Sequence, residues 1–169
     1  IQETYFPVPD TTYTTPAFDT KRGFTTHETM EHFLLELVQN SGNLSMDSLG
    51  MSAKGKVIWG VRSSAGADKL RVLFLGGLHG NEPAGTEALL AFMQQLSEEG
   101  HLNSYLDAVE LLVIPMANPD GYDKQNRYAA NGLDLNRDQT KLVNQEVVFL
   151  KKAYAAFDAD VVVDFHEYK

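Results

Sequence analysis

Residues 72–85 read V-L-F-L-G-G-L-H-G-N-E-P-A-G, and no other stretch restricts the fold as strongly. The run from Val72 to Leu75 is short, bulky or β-branched, and closed by Gly76 and Gly77, which reads as a buried strand. Pro83 suits the first position of a following helix, where the backbone amide has no intrahelical partner in any case. His79 and Glu82 therefore sit on a short loop at the carboxyl end of a strand. In open α/β sheets that is where ligands bind. The loop can turn both side chains to one point, and zinc accepts imidazole and carboxylate ligands together. Taken alone, the pair also fits a loop histidine beside a glutamate that only favours a helix dipole.

Bulk properties narrow the chemistry. The chain has 169 residues, about one domain, with 23 acidic and 14 basic side chains and a formal charge of −9. That balance disfavours nucleic acid, whose affinity comes largely from Lys and Arg on phosphates, and disfavours anionic membrane surfaces. No apolar run approaches the ~20 residues of a membrane span. There is no cysteine, so disulfides, thiolate ligands and cysteine nucleophiles are excluded, and a zinc site must use His and carboxylate. The first residue is Ile1, so either a leader was removed or the chain was trimmed; an exported, periplasmic or secreted protein after leader removal is the expectation.

Residues 1–23, with Pro7, Pro9 and Pro16, are expected to form an extended surface arm; 24–169 are expected to form the N-terminal part of one domain. Thr25-x-x-Glu28 has the form of a capping box, and Met30, Phe33, Leu34, Leu37 and Val38 follow at helical spacing up to Gly42. His27 and His32 lie off that stripe and read as solvated. Leu44–Leu49 and Lys56–Arg62 read as a hairpin turning at Lys54-Gly55. After the strand Leu70–Leu75 comes a helix, Pro83–Glu98, with Ala88, Leu89, Phe92, Met93 and Leu96 inward and Gly100 as its stop; His101 beyond it is expected to be exposed. Val109–Pro115 is a strand covered on both faces, leading into the turn Asn118-Pro119-Asp120-Gly121. Asn118–Asp138 is a long polar loop with no regular structure of its own, the kind that is usually functional. A helix over 144–157, with Val147, Leu150, Tyr154 and Phe157 inward, precedes a third buried strand, Asp160–Phe165, which ends in His166. Alternating strands and helices from residue 70 predict an α/β fold: a mixed, mostly parallel sheet with helices on both faces, incomplete at its C-terminal end, with an apolar edge left uncovered.

If the strands before His79 and His166 are parallel neighbours, both histidines reach one rim of the sheet. His79, Glu82 and His166 then form a set of two His and one Glu with a fourth position open, the pattern of a catalytic zinc site with one ion per chain. The polar loop adds Arg127 and the pair Asn136-Arg137, planar donors able to grip a carboxylate or an oxyanion, unless they serve as surface partners in an acidic protein.

The segments H-G-N-E, N-P-D-G-Y, N-R-Y, G-L-D-L-N-R-D and D-F-H follow in the order found in the zinc carboxypeptidases, and from about Phe24 onward the chain resembles that family, the carboxypeptidase A-like enzymes. The resemblance implies His79, Glu82 and His166 as ligands of one Zn²⁺, the set known for carboxypeptidase A. It implies Arg127 as the arginine that polarises the scissile carbonyl, Asn136 and Arg137 as the anchor for a substrate's terminal carboxylate, and Asp134 as the carboxylate that orients His79. The substrate would be a peptide C-terminus or a related carboxylate. Two departures stand out. The family's general-base glutamate lies well beyond the third ligand and is not among these residues, so zinc binding with little turnover is expected of them alone, the rest of the domain being their partner. Glu167-Tyr168 replace the Ser and Tyr of digestive members and look like a bacterial branch. Two rival functions share the same residues: a zinc amidase or deacylase acting on cell-wall peptides or N-acyl amino acids, and a non-catalytic carboxylate-binding module. A metal-free interaction domain would require His79 and His166 to be far apart.

Overall fold

A computed structural model describes residues 14–97 and 102–168. The expectations for residues 1–13, Gly100 and His101 lie outside these. In chain order the elements are α1 (Pro16–Thr20), α2 (His27–Gln39), β1 (Leu44–Met51), β2 (Val57–Ser63), β3 (Leu70–Leu75), α3 (Pro83–Ser97), β4 (Val109–Ile114), α4 (Pro119–Tyr122), α5 (Gln145–Phe157) and β5 (Val161–Asp164). Two 3₁₀ turns, Asn103–Asp107 and Leu135–Arg137, complete the described chain.

The strands form one sheet in the order β1-β2-β4-β3-β5. β1 and β2 are an antiparallel hairpin, β2 is antiparallel to β4, and β3 runs parallel to both β4 and β5. Side chains alternate across the sheet with the period-2 rule of a strand. Val72, Leu111 and Val113 pack on one face with Met30, Leu34 and Leu37 of α2 and Leu89, Leu90, Met93 and Leu96 of α3. Leu73, Leu75, Leu112 and Ile114 pack on the other with Val147, Leu150 and Phe157 of α5. Helices thus cover both faces, as an apolar strand centre requires.

Several local expectations are corrected. The end of the expected extended arm is the short helix α1. Thr26, not Thr25, caps α2, accepting a hydrogen bond from the Thr29 amide. Thr25 is drawn to α3 instead, donating its amide and hydroxyl to the Glu87 carboxylate at 2.7 and 2.9 Å. His27 is buried rather than solvated, its Nε2 lying 2.7 Å from the Val57 carbonyl oxygen. On α3, Leu90 is buried and Ala88 exposed, a stripe rotated from the expected one. The polar loop carries α4 and a 3₁₀ turn. Finally, β5 is not buried: Val161, Val162 and Val163 are 41, 48 and 36% exposed. Its three valines suit a strand covered on both faces, yet among the described residues it pairs with β3 alone.

Asp138 ties the polar loop to α5. Its buried carboxylate accepts from the Val143 amide (3.0 Å), the Asn144 amide (2.7 Å) and the Asn144 side chain (2.9 Å). Burial alone would raise its pKa, but these donors hold it below the usual aspartate value. Asp138→Ala is expected to lower the unfolding free energy by about 1–3 kcal/mol in urea at pH 7, because the donors lose their acceptor. A depressed folded pKa gives stability that is complete above the unfolded value, near ~3.9, and is lost as pH falls through the folded one. The gap between parent and variant should therefore close in acid; a gap independent of pH would show that the ionised carboxylate is not what matters.

Candidate metal centre

β3 and β5 pair in parallel register, with Leu75 opposite Asp164, and the Phe165 amide continues the ladder onto the Leu75 carbonyl at 2.8 Å. Both strands therefore stop at the same rim, and each delivers a histidine there within a few residues. Two glycines make the approach possible. A Cβ on Gly85, in the first turn of α3, would lie 2.8 Å from Phe165 Cβ, so only glycine lets the end of β5 settle against the helix that follows Glu82. A Cβ on Gly80 would lie 2.1 Å from the Gly121 carbonyl carbon, 2.3 Å from the Tyr122 nitrogen and 2.4 Å from the Asn126 oxygen. The His79 loop is thus pressed directly onto the backbone of α4.

The expected ligands come together. One donor atom from each of His79, Glu82 and His166 lies within 4.8 Å of the others. His79 Nδ1 is 3.0 Å from Glu82 Oε1, and His166 Nδ1 is 2.9 Å from Glu82 Oε2. The imidazole rings stand 4.7 Å apart. Asp134 is 3.1 Å from His79 Nε2 and also accepts from Arg127 Nε at 3.1 Å and the Asn136 amide at 2.8 Å. Arg127 Nη1 donates to Glu82 Oε1 at 3.2 Å, and the Glu167 amide to Oε2 at 3.1 Å. Asn136 and Arg137 line the same cleft of about 430 Å³, with Asn81, Glu167 and Tyr168.

The donor set fits a cation. Each imidazole has a carboxylate oxygen against both nitrogens: Glu82 and Asp134 for His79, Glu82 and Asp164 for His166. A neutral imidazole has one N–H and can satisfy only one of them. The arrangement calls for an imidazolium or for a cation at the Nδ1 side, where both lone pairs and the Glu82 carboxylate converge. Electrostatics agree. Burial would lower the His166 pKa, but the Glu82 hydrogen bond and the Asp164 charge raise it above the ordinary histidine value. Burial would raise Glu82 and Asp134, yet bonds from His166, the Glu167 amide and His79 hold Glu82 low. The Asn136 amide, His79 and Arg127 do the same for Asp134.

Two participants escaped the sequence reading. Asp164 is part of the quoted D-F-H segment, and its place two residues before a strand-end histidine was the available signal. Glu167 also serves at its carboxylate, where Oε2 accepts from the Ala84 amide at 3.3 Å in the first turn of α3; nothing in its spacing announced that.

The family profile described as zinc carboxypeptidase matches residues 30–157. Carboxypeptidase 2 of Trichophyton rubrum is 33% identical in an alignment of 160 positions that covers 89% of this chain but 30% of that protein; the chain thus spans about a third of such relatives. The metallo-carboxypeptidase from Burkholderia cenocepacia superposes with a TM-score of 0.78 at 23% identity, over 86% of this chain and 42% of that one. The metallo-carboxypeptidase from Pseudomonas aeruginosa, solved in complex with (2-guanidinoethylmercapto)succinic acid, gives 0.77 at 20% identity, over 86% and 40%. At these identities the structures establish the shared fold.

Gly80→Ala should lower stability by at least ~1–3 kcal/mol in urea unfolding, since all three clashing atoms are backbone and cannot rotate away. An alanine variant as stable as the parent would mean that the His79 loop is not seated on α4 as described.

Proposed function

The chain belongs to the zinc carboxypeptidase family, and from that premise we propose that it carries the metal centre of a hydrolase that removes residues from the C-termini of peptides. One observation supports this above all: His79, Glu82 and His166 converge in a cleft that Arg127, Asn136 and Arg137 also line.

Zinc is the cofactor of this family, and His79, Glu82 and His166 would hold it; bound there, it would polarise a carbonyl and lower the pKa of a coordinated water. The chain's own residues supply the rest. Arg127 is pinned by Glu82 and Asp134, so its guanidinium is preorganised beside the ligands without a search over rotamers. It is proposed to donate to the carbonyl oxygen as negative charge develops there. Asn136 and Arg137 are proposed to bind the substrate's terminal carboxylate, fixing the scissile bond relative to the ligands. The Pseudomonas aeruginosa enzyme, of the same fold, was solved with a succinic acid derivative, a carboxylate ligand of the kind this pair would recognise. Asp134 is proposed to hold His79 in the tautomer that leaves Nδ1 free for metal.

Glu82, Asp134 and Glu167 are each engaged by the donors named above, so none is proposed as general base. The resemblance puts that glutamate beyond residue 169. The 169 residues by themselves are proposed to bind zinc without appreciable turnover.

Elemental analysis of the purified chain should find about one zinc per chain, lost in His166→Ala. A folded parent that takes up no zinc on reconstitution would overturn the reading. In a longer polypeptide that includes the residues following Lys169, Arg137→Ala should raise KM for a peptide substrate far more than it changes kcat. Turnover of N-acyl amino acids in preference to peptides would reassign the substrate to the deacylase class.

A further inference from the structure

We propose that Asp164 is a positioning residue for the metal centre, orienting His166 as Asp134 orients His79; the proposal rests on the metal reading above. His166 Nε2 lies 3.0 Å from Asp164 Oδ2, against 3.1 Å between His79 Nε2 and Asp134 Oδ1. The two imidazoles are thus held alike, each with Nε2 on an aspartate and Nδ1 on Glu82.

The backbone explains why the aspartate sits two residues before its histidine. Asp164 is the last residue of β5 and pairs with Leu75 of β3. The Phe165 amide extends that ladder by one residue, so the chain is still strand-like as it reaches His166. Residues two apart along a strand project to the same side. Asp164 and His166 therefore emerge together, with Phe165 turned the other way against Gly85. The aspartate is anchored by the ladder before it touches the ring, and this makes it an effective support. A carboxylate at Nε2 keeps the proton there and leaves the Nδ1 lone pair directed at the centre, beside Glu82.

Asp164 is more exposed than Asp134, its side chain being 33% accessible against 15%, so its effect belongs at the lower end of what such partners produce.

The test uses the 169-residue chain, with Zn²⁺ affinity measured by chelator competition and the visible spectrum recorded after loading with Co²⁺. Asp164→Ala should weaken zinc binding about tenfold and alter the Co²⁺ d–d bands. Asp164→Asn should recover most of the affinity, because its side-chain oxygen still accepts from Nε2–H. Melting of the metal-free proteins separates a loss of fold from a loss of orientation, and the asparagine variant carries the test if the alanine variant fails to fold. Parent-like affinity and spectrum in Asp164→Ala would overturn the proposal. So would an asparagine variant that is folded yet as weak as alanine, since orientation needs only an acceptor. If the parent binds zinc and His166→Ala does not, such results remove Asp164 alone. If the folded parent binds none, the metal reading falls and this proposal falls with it.

Discussion

The Glu82 carboxylate holds an imidazole on each oxygen, His79 on Oε1 and His166 on Oε2, although His166 lies 84 residues further along the chain. Closing a loop of that length costs entropy that a hydrogen bond worth about 1 kcal/mol does not offset. The sheet does so instead. Six consecutive residues of β3 pair with β4 and four with β5, all in parallel register. Burial of Leu73 and Leu75 on one face and Val72 on the other fixes that register, because a slip by one residue would turn each of them to the wrong side. The site is a product of the core: the ladder ends where it does because the apolar runs end there, and His79 and His166 are the first polar residues past the ends of β3 and β5.

This dependence explains which parts were legible in the sequence. Apolar runs bounded by glycine or proline marked β3, β4 and the start of α3 to within a residue, and a parallel pairing of two strand ends was enough to bring His79 and His166 together. Arg127, Asn136 and Arg137 were placed in the cleft by motif order, since nothing in a polar loop dictates its path. Two of the misreadings share a physical cause. Thr25 has the right spacing for a cap but is captured by Glu87, 62 residues away, and the next threonine takes the cap. His27 lies off the apolar stripe of its helix yet is covered by β2, whose Val57 carbonyl it meets. β5 has the composition of a central strand but stands at an edge among the described residues. The threonine and histidine outcomes were each decided by a tertiary partner that local pattern does not encode, whereas β5 has no second neighbour among the described residues.

The clustering of acids at this rim would be costly in a neutral setting, because like charges at close range repel strongly when partly shielded from water. The local backbone offsets it. Glu82 immediately precedes α3, and Glu167 accepts from Ala84 in the first turn of that 15-residue helix, so both carboxylates meet the positive end of the helix dipole. Arg127 spans Glu82 and Asp134 and neutralises part of what remains. The residual negative charge is then concentrated where two imidazole Nδ1 atoms already converge. Since His166 follows β5 directly, an ion held by His79, Glu82 and His166 would be thermodynamically linked to the pairing of β5 with β3. Occupancy of the cleft and the pairing of β5 with β3 would then be coupled, because the same backbone ladder that aligns Leu75 with Asp164 sets where His166 meets Glu82.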